Sequence, residues 1–185
     1  HLSNVLLNIA VVGLIIHFGL KIVLRLRAAA VGGLIFALHP MHVESVAWVT
    51  ERKDVLYAFF YMFALCSYWD YLKGKGKSSY WKSVGFGLLS ILAKPTALSL
   101  PLVCLACDWY SKRQWTPKVL LEKVPYVLYI VPIALVTSSL YEHTSIFDLW
   151  SEALLWVWAF VVYVLKFLFP LKQVPFYTFH LPISV

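Results

Sequence analysis

The sequence predicts an all-α fold, a polytopic transmembrane helical bundle. Three observations carry that prediction. The first is composition: of 185 residues, 61% are hydrophobic, 17% aromatic and only 14% charged, far from the balance of a soluble domain. The second is length, because the apolar runs approach the roughly 20 residues that cross a hydrocarbon core. The third is charge placement. Eleven of the 16 Lys and Arg fall between those runs, in three clusters: Lys21, Arg25, Arg27; Lys73, Lys75, Lys77, Lys82; and Lys112, Arg113, Lys118, Lys123. Such clusters mark cytoplasmic ends under the positive-inside rule. The net charge of +7 is therefore read as a topology signal. The expected partner is the lipid bilayer, not nucleic acid.

The order of elements follows from lengths and charges, with about five full spans in all. Residues 2–20 form the first, ending at the Lys21–Arg27 cluster. Residues 28–48 return outward, and Ala28–Ala30, Gly32 and Gly33 allow a close helix neighbour. Residues 55–72 go back in and end at a basic loop broken by Gly74 and Gly76. Residues 84–108 are apolar with basic clusters on both sides. Two crossings need about 40 residues, and this run is too short for them. A short re-entrant hairpin entering from the cytoplasm satisfies both constraints. Its apex is Ala93-Lys94-Pro95-Thr96, since Pro95 cannot continue the helix ladder and disfavours helix at Lys94. A broken backbone at depth must be buried in protein or line a wet cavity, so Lys94 is expected to face an outer cavity. Residues 118–140 cross again. Residues 150–169 either span or lie at the outer interface, and the interfacial helix is favoured.

Cys104 and Cys107 stand in an apolar run and, with Cys66, read as small buried thiols. His17 reads as a packed polar group within a span. Trp69, Trp81, Trp109 and Trp115 flank the basic loops as an interfacial belt.

The stretch 39–54, HPMHVESVAWVTERKD, concentrates ionisable residues between two apolar runs. Such groups are retained in membranes mainly where they face water, each other or a ligand. His39 and His42 share a face if the helix continues past Pro40. H-x-x-H admits a divalent metal and equally a hydrogen-bonded polar helix end; H-E-x-x-H is absent. Glu51 and Asp54 suit a helix N-terminus by its dipole. Arg52 does not, and fits if it pairs with Asp54 or Glu44 or grips an anion through its guanidinium fork. Arg52 and Lys94, with nearby carboxylates, suit a substrate with a phosphate leaving group and a hydroxyl nucleophile. The candidate catalytic residues are Glu44 and Asp54. The candidate substrate-binding residues are His39, His42, Glu51, Arg52 and Lys94, with Tyr177 closing from the tail.

The stretches His39–Trp48, Glu51–Leu56 and Leu92-Ala93-Lys94-Pro95 resemble the membrane part of the bacterial TPR-containing relatives of the transmembrane-and-TPR protein O-mannosyltransferases, within the GT-C glycosyltransferases. The resemblance implies that residues 1–185 are part of a GT-C membrane domain, with a first helix and an acidic outer loop upstream and TPR repeats downstream. It implies a polyprenyl-phosphate sugar donor, an inverting transfer to a protein acceptor, and action on the non-cytoplasmic side. The bacterial inner membrane is the expected location, or the endoplasmic reticulum for a eukaryotic chain. The alternative is a non-catalytic GT-C-like subunit or scaffold within a membrane complex. A transporter is a third reading, because a broken helix with a buried charge is also a transporter signature.

Overall fold

A computed structural model describes residues 2–23, 25–140 and 149–170, and among these the fold is helical without strands. The helices are α1 (Leu2–Val23), α2 (Leu26–Leu38), α3 (Val43–Ala47), α4 (Arg52–Leu72), α5 (Lys77–Ala93), α6 (Leu100–Tyr110), α7 (Pro117–Leu121), α8 (Val124–Leu140) and α9 (Leu149–Leu168). Short 3-10 turns at Pro40–His42, Val49–Glu51 and Pro95–Ser99 join them.

Among the described residues, three stretches are long and apolar enough to cross a membrane: Leu2–Val23, Arg52–Leu72 and Pro117–Ser139. A fourth is reached if Leu26–Leu38 and Pro40–Ala47, bent by 54°, are one broken span. The bend falls where Pro40 removes a backbone donor. The chain is thus an integral membrane helical protein. Helix α9 falls where the sequence predicts an interfacial or spanning element, and its described apolar stretch, Leu154–Leu168, is shorter than a crossing.

The hairpin is longer than its apolar run indicated. The turn between α4 and α5 is tight, with Gly74 at φ 83° and Gly76 at φ 92°, backbone angles that glycine adopts without penalty. Helix α5 therefore begins at Lys77, inside the expected basic loop. It runs antiparallel to α4, and its register is visible in three contacts. Ser83 Oγ donates to the Ala64 carbonyl at 2.7 Å, Ser90 Oγ donates to the Tyr57 carbonyl at 3.0 Å, and Lys94 Nζ reaches Asp54 at 2.5 Å. The break at Lys94–Pro95 thus lies level with the first turn of α4 rather than part-way along it. The chain then turns back as α6, parallel to α4, with Tyr61 against Ser99 and Tyr68 against Asp108.

The remaining helices flank this unit. Helix α8 lies along α5, and the Tyr126 hydroxyl donates to Ser83 Oγ at 2.8 Å. A methyl group at Gly87 would collide with Leu100 and the Tyr129 hydroxyl, so the absent side chain sets how closely α5 approaches its neighbours. Helix α1 lies along α4 on the other side, with Lys21 on Asp70 at 2.7 Å. Half of the small-residue stripe on α2 is used as expected: Gly33 faces Ile16 and Val12, and Ala29 faces Gly19, whereas Gly32 meets nothing within 4 Å.

The end of the bundle opposite Lys94 is held by buried charge. Asp108 and Lys123 are 1% and 5% exposed. Lys123 Nζ lies 2.6 Å from Asp108 Oδ2 and also donates to the Tyr68 hydroxyl, which itself donates to Asp108 at 2.8 Å. Arg113 pairs with Asp108 at 3.1 Å and with Glu122 at 2.6 and 2.9 Å, and the Tyr71 hydroxyl donates to Glu122 at 2.7 Å. The bonds from Glu122 hold the Arg113 guanidinium further above its ordinary pKa. Two of the basic residues read as a loop signal are therefore paired parts of the structure. Two cations face two carboxylates, and two phenols fill remaining sites, so no charge in the group is left uncompensated.

This network predicts a large, local stability effect. Asp108→Ala strands Lys123 and should lower stability by about 3–5 kcal/mol, the range for breaking a buried pair. Lys118→Ala, at an exposed position on α7, should stay within about 0.5 kcal/mol. Denaturant or thermal unfolding in detergent checks both; equal effects would contradict the assignment.

Candidate functional site

The first turn of α4 is where the expected site residues meet. Glu51 closes a 3-10 turn and its carboxylate pairs loosely with Lys53 at 3.6 Å. Arg52 is the first residue of α4, and Asp54 lies in its first turn. Asp54 has both oxygens engaged. Oδ1 receives Lys94 Nζ at 2.5 Å and Oδ2 receives Ser45 Oγ at 3.3 Å. Side-chain exposure is 29% for Lys94 and 20% for Asp54, so the pair is partly screened and still reachable.

Lys94 arrives there for local reasons. Helix α5 ends at Ala93, Lys94 takes the extended conformation at φ −155° and ψ 129°, and Pro95 opens the next turn. That is the backbone state the residue before a proline prefers. The α4–α5 register then sets the height of the ammonium.

Arg52 makes no ion pair among the described side chains. Its Nε donates to Asn4 Oδ1 at 3.4 Å, and Asn4 Nδ2 donates to the Trp48 carbonyl at 3.0 Å. Asn4 is fully buried, while Arg52 is exposed. Of the expected partners of Arg52, Asp54 is instead committed to Lys94 and Ser45, and the side chain of Glu44 lies outside the described residues.

The two histidines do not share a helical face. Helix α2 stops at Leu38 and His39 is extended, because Pro40 starts a 3-10 turn. His39 Nδ1 accepts from the Met41 amide at 3.3 Å, and its ring stacks on Phe167 of α9 with centroids 5.0 Å apart. His39 Nε2 lies 2.9 Å from the Phe167 carbonyl. His42 packs against Phe36 at 4.0 Å between ring centroids. Among the described residues, no group of three or more His, Cys, Asp and Glu is arranged to hold a metal ion. Glu44 belongs to α3, but its side chain lies outside the described residues, as do Tyr177 and His180.

A cavity of about 350 Å³ opens between α1, α2, α3 and α4. His42, Ser45, Asp54 and Asn8 form its polar wall, and Val11, Phe36 and Met62 are among its apolar lining. A second cavity, of about 490 Å³, lies beside it and is walled by His39 and His42. Of the two expected cations, Lys94 adjoins the first cavity through Asp54, and Arg52 sits one residue pair away at the same helix start. Neither lines the wall itself.

Sequence reasoning passed over Asn4, Ser45 and the Asp108–Lys123 pair. Asn4 and Asp108 carried a usable signal, being polar groups next to long apolar runs, where an unpartnered one costs free energy. Ser45 carried none.

The chain is similar to animal protein O-mannosyl-transferases. Protein O-mannosyl-transferase Tmtc2 of Drosophila melanogaster is 30% identical over 114 residues, covering 58% of this chain and 12% of its own length. Protein O-mannosyl-transferase TMTC2 of Mus musculus is 33% identical over 110 residues, covering 50% of this chain and 13% of its own. Protein O-mannosyl-transferase TMTC1 of Homo sapiens is 31% identical over 122 residues, covering 60% and 14%. The chain spans about an eighth of the length of these curated relatives. No family model matches it, and no solved structure does. The chain is a membrane-helical relative of protein O-mannosyl-transferases over that stretch. These relatives are animal proteins, and the bacterial affinity expected from Glu51–Asp54 rests on the motif alone.

The Lys94–Asp54 contact predicts energetic coupling. In a double-mutant cycle of Lys94→Ala and Asp54→Ala, the two losses should fall short of additivity by about 1 kcal/mol, within the range for contacting residues. Unfolding midpoints in detergent measure it, and strictly additive losses would argue against the pairing.

Proposed function

We propose that this chain is part of a membrane glycosyltransferase that moves a sugar from a polyprenyl-phosphate donor to a protein hydroxyl; of this, the name of its relatives, protein O-mannosyl-transferase, supports the sugar transfer to protein. The single observation that carries the reading is the clustering of Arg52, Asp54 and Lys94 at one end of α4, beside a cavity that is polar on one wall and apolar on the other. Arg52 and Lys94 bring two cations to one helix start, an arrangement suited to a departing phosphate.

In the proposed step, the acceptor hydroxyl oxygen attacks the anomeric carbon of the donor. The bond from that carbon to the phosphate oxygen breaks, and the lipid phosphate leaves with the electron pair. The hydroxyl proton passes to a carboxylate. Lys94 and Arg52 stabilise the phosphate charge as it develops. Asp54, with both oxygens engaged, positions Lys94. Glu44, adjacent to Ser45 in α3, is the candidate proton acceptor. His39, His42 and Glu51 border the donor, and the lipid chain enters along the apolar walls. Tyr177 is proposed to close from the tail.

Charge placement supports action on the non-cytoplasmic face. Lys21, Lys75 and Arg113 gather at the bundle end opposite Lys94, and such ends face the cytoplasm. The location is then the bacterial inner membrane or the endoplasmic reticulum.

Transfer of labelled sugar from a polyprenyl-phosphate donor to an acceptor peptide, by the full-length protein, tests the proposal. Arg52→Ala and Lys94→Ala should each lower kcat/KM by about 100-fold, the scale for removing one stabiliser of developing charge. Both should keep the wild-type elution profile in detergent. Wild-type rates in both variants discard the reading.

A further inference from the structure

Asn4 stands out from the rest of α1. It is the one fully buried polar side chain among the described residues of a mostly apolar helix. Burying an amide in such a setting is unfavourable unless both of its halves are hydrogen-bonded. Both are. The nitrogen donates to the carbonyl of Trp48, where the chain leaves α3, and the oxygen accepts from Arg52 Nε, where the chain enters α4. One side chain therefore ties α1 to both sides of the turn that launches α4.

Arg52 needs such a partner. As a cation at the first position of α4, it faces the positive end of the helix dipole. Among the described side chains no carboxylate pairs with it. The Asn4 oxygen is a neutral acceptor, so it orients the guanidinium without cancelling its charge. Binding through Nε fixes the plane of the group and leaves the two terminal nitrogens uncommitted among the described side chains. Those nitrogens form the edge that grips a phosphate bidentately. A carboxylate in place of Asn4 would hold the same nitrogen and neutralise the cation. The amide is thus suited to a cation that has to stay available.

We infer that Asn4 is a positioning residue that aims Arg52 at the phosphate of the donor. The inference rests on the function proposed above and adds to it a residue on a different helix. Its effect is read at donor binding, because among the described side chains the polar atoms of Asn4 bond to Arg52 and the Trp48 carbonyl.

The test is steady-state kinetics of the full-length protein with donor and acceptor varied separately. Asn4→Leu keeps the side-chain volume and removes both hydrogen bonds. Asn4→Asp keeps the acceptor and adds a charge that competes with the donor phosphate for Arg52. Each should raise the KM for donor by about tenfold, the scale of one hydrogen bond to a charged group, with the KM for acceptor unchanged. In an Arg52→Ala background neither substitution should change donor KM further, as expected for residues acting as one unit. If Asn4→Leu yields too little folded protein, Asn4→Asp alone decides the matter. An unchanged donor KM in a folded Asn4 variant overturns the inference while Arg52→Ala still raises it. A rise that persists in full in the Arg52→Ala background overturns it as well, assigning Asn4 to general packing. If Arg52→Ala itself leaves transfer untouched, the proposed function fails and the inference falls with it.

Discussion

Along the seam between α4 and α5, Ser83 and Ser90 donate to the carbonyls of Ala64 and Tyr57, seven residues apart on both helices. That matched spacing locks the antiparallel register. A slip of one residue would rotate these hydroxyls by about 100° off the seam, since an α-helix has 3.6 residues per turn, and would strand them in an apolar interior. The register in turn decides where the break at Lys94–Pro95 arrives. With the serines in place, the ammonium meets Asp54 at the mouth of the cavity; displaced along α4, it would face apolar side chains. The site is a consequence of this seam, and so is the depth of the hairpin.

The other end of the bundle makes the seam permanent. Asp108 on α6, Lys123 before α8 and Tyr68 on α4 converge in a space closed to water. Buried ion pairs are poor contributors of net stability, because desolvation offsets much of their attraction. They are strict about geometry, however, since each unmade bond strands a charge. Here they pin α4, α6 and α8 to one relative height. The Asp54–Lys94 pair at the far end is differently built. It is more exposed, smaller, and adjoined by a cation with no carboxylate partner among the described side chains. One end is satisfied and closed, while the other holds, near a cavity, a cation that no described carboxylate pairs with. That asymmetry separates the structural charges of the chain from those available to a ligand.

Much of this organisation was legible in the residues. The apolar runs mark α1, α4 and the α7–α8 stretch, because spans are defined by local composition. Pro95 ends α5 as read, and Pro40, past which the sequence leaves continuation of the helix open, ends α2, because proline acts on its own and the preceding residue. The density of ionisable groups in 39–54 marks the end of the molecule where Asp54 meets Lys94. Other readings did not survive contact with the fold. The basic loop at 73–82 became a glycine turn and the start of α5. Arg113 and Lys123, grouped with loop lysines, proved to be paired. Pro40 breaks the helix between His39 and His42, whose ring centroids still lie 6.2 Å apart, and α9 supplied the neighbour that stacks on His39.

What the sequence determined by itself is whatever one segment can express alone: helix type, span length, breaks and the sign of each charge. What only the tertiary structure decided is who meets whom. Asp54 takes Lys94 forty residues on, Arg52 takes Asn4 forty-eight residues back, and Lys123 takes Asp108 across a turn. Periodicity and composition carry no record of those choices. They depend on the register and rotation of packed helices, which are settled by the burial of many side chains at once.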